Sequence, residues 1–98
     1  MGNEIYEKLK NDVAEITWEH LKPHLVHDAI IIVSQELNLI DIGVLVAQDQ
    51  NEKISSLISD GLITKPNEIQ ISEWEINPQK SFQAIIIQPY VLVQIAFN

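Results

Sequence analysis

Hydrophobic patterning predicts an α+β fold with the order helix, strand, helix, helix, strand, long excursion, strand, and an extra strand at the C-terminus. Three observations carry this reading. Apolar residues recur at helical spacing in three separate stretches. Two runs, Ile30-Ile31-Ile32-Val33 and Ala84-Ile85-Ile86-Ile87, are apolar at consecutive positions and rich in β-branched side chains, which favour strands. The last residues alternate, with Val91, Val93, Ile95 and Phe97 interleaved with Tyr90, Leu92, Gln94 and Ala96. A length of 98 residues suits one domain spanning 1–98.

The first helix is expected over 4–16, where Ile5, Leu9, Val13 and Ile16 form a stripe and Glu4 and Glu7 sit at the positive end of the dipole. Thr17 is placed to cap a short helical turn over 18–22, and Pro23 to stop it. A strand over 26–34 needs both faces covered. Asn38 then caps a helix striped by Leu39, Ile42, Leu45 and Val46, in which Gly43 lets another element approach closely. Asp49 and Glu52 have the spacing of a capping box for a helix over 50–60. Gly61 supplies its left-handed C-terminal position, and Leu62 folds back on the last turn. Residues 62–65 suit a short strand, while 66–80 follow neither period. A covered strand over 82–88 ends at Pro89, which cannot donate to a ladder.

Composition limits the functions. Fourteen acids against six bases, all lysine, give a formal charge of −8. Such a surface repels nucleic acid and anionic membranes, so neither is an expected partner. Without cysteine the chain is neither a disulfide scaffold nor a thiolate zinc protein. The first ten residues lack the apolar core of a signal peptide, and the longest apolar run, 29–33, falls far short of the ~20 residues of a membrane helix. A cytoplasmic location is the default expectation.

Few residue groups suggest chemistry. His20, His24 and His27 lie within eight positions, and with Glu19 or Asp28 they form a candidate metal site. Pro23 between them breaks the helical spacing that such a site needs, so the expected reading is imidazoles around a turn. Trp18 and Trp74 are expected in the core with bonded indole N–H groups, or else lining a pocket or contact. Gln88, Tyr90 and Gln94 interrupt an apolar region. They read as side chains bonding a loop backbone at a sheet bend, or as a polar spot for a ligand or partner. Asp41, Asp49 and Glu52 are explained by helix capping. Gly2, Gly43 and Gly61 are too isolated for a phosphate loop. No catalytic residue and no cofactor is expected.

The order of elements is that of a winged helix, and 51–65 resembles a recognition helix running into a wing. Its candidate exposed positions are Asn51, Glu52, Ser55, Ser56, Ser59 and Asp60, with Lys53 the single cation, which argues against DNA reading. The whole chain also resembles a family of short prokaryotic proteins, domain of unknown function 2288. The resemblance rests on Ile16-Thr17-Trp18-Glu19-His20-Leu21, on the aliphatic helix over 37–49, on Gly61-Leu62 with Trp74, and most specifically on Gln88-Pro89-Tyr90-Val91-Leu92-Val93-Gln94. The family tends to have Trp at the position of Tyr90, and often Trp near Leu57. The resemblance implies a compact domain and no activity.

Two strands apolar on both faces suggest a homo-oligomer, most simply a dimer, with the C-terminal strands near the interface. The leading functional expectation is a non-enzymatic interaction or accessory protein. The alternatives are a small-ligand or metal-binding module and, less favoured, a winged-helix DNA binder.

Overall fold

The computed structural model describes residues 3–95. Helix α1 spans Asn3–Asp12, with Leu9 buried and Ile5 half-buried. It ends earlier than its periodicity predicts. Ala14–Thr17 forms strand β1, in register with a later strand so that Ile16 lies opposite Phe82. Pairing and packing on the sheet outweigh the helical spacing of Val13 and Ile16, both of which fit a pleated surface.

Helix α2, Trp18–Leu21, follows directly and passes into a 3-10 helix, Lys22–His27. Pro23 occupies the first turn of that helix rather than stopping the chain, because a missing N–H costs nothing there. The segment around His24 and His27 is therefore wound and not extended. Thr17 makes no capping bond; its Oγ1 lies 3.0 Å from His20 Nδ1.

Strand β2 is Ile30–Val33, shorter than the 26–34 expected. Helix α3, Leu39–Ala47, starts as expected: Asn38 Oδ1 accepts from the amides of Ile40 at 2.9 Å and Asp41 at 3.1 Å. Helix α4, Asn51–Ser59, starts differently. Asp49 sits in the link with φ of 54°, Gln50 takes the capping position, and no side-chain cap forms. The end of α4 matches the reading of Gly61, at φ of 75°. Gly61 N–H donates to Ile58 C=O at 3.0 Å and Leu62 N–H to Leu57 C=O at 2.9 Å, the paired bonds of a Schellman turn.

Strand β3, Ile63–Thr64, precedes helix α5, Glu68–Ile76, which lies in the stretch without a clear period. Its start is a capping box: Gln70 N–H donates to Asn67 Oδ1 at 2.8 Å, and Asn67 N–H donates to Gln70 Oε1 at 3.0 Å. Strands β4, Ser81–Ile87, and β5, Tyr90–Ile95, form a hairpin joined at Gln88-Pro89, whose peptide bond is cis. Ala96 and Phe97, assigned to the last strand by alternation, lie outside the described residues.

The five strands form one sheet in the order β1-β4-β5-β2-β3. Only β2 and β5 run parallel. Side chains alternate between its faces. On one face Ile30, Ile32, Phe82 and Ala84 pack with Trp18 and Leu21 of α2, Leu25 of the 3-10 helix and Trp74 of α5. On the other, Val33, Ile85 and Leu92 pack with Leu9, Leu39 and Ile42 of α1 and α3.

The result is a mixed α+β fold with five helices and an open sheet. It departs from the expected order by adding β1 after α1 and α5 before β4. The C-terminal strands are interior, and helices of the same chain pack on both their faces. That packing leaves Ile86 of β4 53% exposed and Tyr90 of β5 42% exposed.

Gly43 is where α3 meets the sheet. A Cβ there would lie 3.2 Å from Cδ1 of both Ile87 and Leu9, so the absence of a side chain sets the approach of helix to strand.

Candidate functional site

The residues singled out by sequence separate into distinct places. Trp18 and Trp74 are core residues, 1% and 2% exposed. Their ring centroids lie 5.1 Å apart, and Trp74 meets Phe82 edge-on at 5.0 Å. The Trp18 indole N–H donates to Glu75 Oε1 at 3.2 Å, and the Lys22 ammonium lies 3.0 Å from the same carboxylate.

The Lys22 hydrogen bond, with the indole bond and the ammonium charge added, holds the Glu75 carboxyl below the ordinary glutamate range against the opposing effect of desolvation. A carboxyl depressed in the folded state stabilises above its unfolded pKa, and that stabilisation is lost as pH falls through the folded value. Between about pH 6 and about pH 3, the melting temperature of the native chain is expected to fall more steeply than that of Glu75→Gln. Parallel pH profiles from calorimetry would contradict the assignment.

Gln94 is bonded to the loop backbone at the end of the sheet, one of the two expected readings. Its amide donates to the carbonyls of Ser34 at 2.9 Å and Leu37 at 2.7 Å, tying β5 to the loop before α3. His20 lies on α2, while His24 and His27 lie in the 3-10 helix. Among the described residues, no group of three or more His, Cys, Asp or Glu side chains is placed to hold a metal ion. Asn51, Glu52, Lys53, Ser55, Ser56, Ser59 and Asp60 are all exposed on or beside α4, with Lys53 their one cation.

Gln88 and Tyr90 belong to a real concavity. A groove of 520 Å³ opens between α3, α4 and the β4–β5 turn. Ile31, Ile42, Ile63, Ile87 and Leu92 form its floor, and Val46, Ile54 and Ile58 its helical walls. Gly43, through its contact with Ile87, lets α3 settle at the depth that shapes this floor. Asp49, Asn51, Lys65, Gln88 and Tyr90 supply the polar lining. Every one of these five is exposed, so the polar groups sit at the rim. Lys65 is ion-paired with Asp28, both in solvent, where such pairs contribute little.

The groove joins residues far apart in sequence. Tyr90 and Gln88 were legible as a polar interruption. Val46, Ile54, Ile58 and Lys65 carried no signal of their own, because a helix stripe reads the same whether it faces a core or an open groove.

The chain matches the family model "Protein of unknown function (DUF2288)" over residues 4–95, nearly its whole length. The chain belongs to this family. The DUF2288 chain is also similar to the NMR solution structure of PA1075 from Pseudomonas aeruginosa. They share 27% identity with a TM-score of 0.79, over 97% of this chain and 87% of that one. No curated protein matches it. Among its described residues, no helix is long and apolar enough to cross a membrane.

Proposed function

We propose that this DUF2288 chain is a non-catalytic binding module that holds a small molecule with an apolar body in the groove between α3, α4 and the β4–β5 turn. One observation carries the reading: the floor and walls are aliphatic while the polar groups are confined to the rim. Its volume of 520 Å³ falls within the roughly 300–1,000 Å³ typical of ligand pockets. Aliphatic walls take up a hydrocarbon or aromatic body. The rim amides of Asn51 and Gln88 and the Tyr90 hydroxyl orient its polar end. The lining has no serine, cysteine or histidine, so it holds no hydroxyl or thiol nucleophile with an adjacent imidazole base.

The test uses a neutral, environment-sensitive naphthylamine dye as probe. Saturable binding with a fluorescence increase is expected. Ala47, exposed at the end of α3, lines the groove without entering the core. Ala47→Trp is expected to weaken dye binding at least about tenfold, or ~1.4 kcal/mol, with the melting temperature unchanged. Equal binding by the plugged variant contradicts the reading.

A second reading, action through protein contacts, is favoured by Val26, Ile69, Ile76 and Ile86, large apolar side chains exposed outside the groove. Native mass spectrometry of untagged protein separates the two. A small reproducible mass increment supports the ligand, and a bare multiple of the chain mass supports the homodimer.

A further inference from the structure

We propose that the free edge of β1 binds an extended, basic segment of a partner protein by strand addition. This site lies apart from the groove and does not depend on it. Strand β1 ends the sheet and pairs with β4 on one side only. Trp18 N–H donates to Lys80 C=O at 2.9 Å, continuing the β1–β4 ladder by one pair. Antiparallel ladders alternate. Ala14 and Ile16 share the phase of Trp18, so their backbone groups turn toward β4. Glu15 then turns its N–H and C=O outward and Thr17 its N–H, while the Thr17 C=O opens helix α2 as its N-cap; among the described residues no strand lies beyond them.

A second observation lies beside that edge. A hollow of 410 Å³ has Ile16, Ala84, Ile86 and Val91 as its apolar lining, with Asp12 and Glu15 beside them. Ile86 is 53% exposed there. Strand addition combines main-chain bonds along an edge with a pocket for alternate side chains, and this edge supplies both.

Charge selects the occupant. Asp12 beside the hollow, and Glu15 with its carboxylate on the opposite face 3.5 Å from Ser81 Oγ, bring two acids to this edge in a chain of formal charge −8. Asp12 is paired with Lys8 at 3.3 Å, but that pair is open to solvent and weak. A segment carrying one apolar side chain flanked by lysine or arginine matches the edge, the hollow and the charge together. Pairing β1 with β1 of a second copy would instead bring the same acids together, and like charges across strands destabilise.

The experiment titrates a capped peptide of alternating lysine and isoleucine into the isotope-labelled full chain by NMR. Amide shifts centred on Glu15 and Thr17 are expected. The same peptide, N-methylated on the amides facing β1, keeps its charge and is expected to bind at least about tenfold more weakly, since it cannot extend the ladder. The double variant Asp12→Lys/Glu15→Lys, which leaves the backbone intact, is expected to lose the basic peptide. Absence of binding, equal binding of the N-methylated peptide, or shifts centred elsewhere on the surface would overturn the proposal. So would a dimer in which the Glu15 and Thr17 amides are already protected from exchange, because the edge would then belong to a second copy.

Discussion

Trp74→Ala is expected to destabilise the chain by about 3–5 kcal/mol, the range for removing a large aromatic from a packed core. Trp74 is the one fully buried side chain of α5. It lies between Trp18 and Phe82, both 1% exposed or less. Truncation removes the aromatic contacts that hold α5 to the sheet and opens a cavity that neighbouring rings cannot refill without leaving their rotamers. Small domains have about 5–15 kcal/mol of stability in total, so this loss is a large share of it and should lower the melting temperature markedly. Trp74→Phe keeps an aromatic ring in place and should cost less. Urea denaturation measures both. A loss below about 1 kcal/mol for the alanine variant would show that α5 is held by other contacts.

Gln94→Leu is expected to cost about 1–3 kcal/mol, although it replaces a polar residue by an apolar one of similar length inside a sheet. The Gln94 amide satisfies two backbone carbonyls of the loop before α3. Leucine leaves the Leu37 carbonyl without that donor, while the Ser34 carbonyl keeps the Leu37 N–H at 3.0 Å; an unpaired part-buried acceptor is penalised more than the added hydrophobic contact returns. The same loop is tied a second time by Gln35 Nε2 donating to Ile95 C=O at 2.6 Å, so the fold should survive. Hydrogen exchange should show the start of α3 opening more often. Unchanged stability and unchanged exchange would show that water replaces the amide without penalty.

The sequence made local features legible and missed those set by partners distant in the chain. Asn38, Gly61 and the apolar runs of β2 and β4 act through their immediate neighbours, and each does in the structure what its type implies. Strand β1 was hidden because Val13 and Ile16 satisfy helical spacing equally well, and only the Phe82 strand four-fifths of the way along the chain decides between them. Helix α5 was hidden because Ile69 and Ile76 are exposed, so its outer apolar residues blur the stripe that Ile71 and Trp74 form. The Asp49 and Glu52 pair had the spacing of a cap, but the left-handed turn at Asp49 removes it from the helix start.

The candidate site was half legible for the same reason. The polar interruption at Gln88 and Tyr90 marks the rim of the groove, while Trp18 and Trp74 serve the core and Gln94 bonds the loop before α3. Sequence could not separate them, because strand register sets where Gln94 points and the docking of α2 and α5 on the sheet sets where Trp18 and Trp74 lie.

The most direct test of the groove as a binding site is an NMR titration of the isotope-labelled chain with the neutral naphthylamine dye. Shifts are expected at Val46, Ala47, Ile54, Ile58 and Ile87 and around the Gln88-Pro89 turn, with the indole N–H signals of Trp18 and Trp74 unmoved. Shifts concentrated on the α2 and α5 side of the sheet, with those indole signals displaced, would contradict the assignment of the groove.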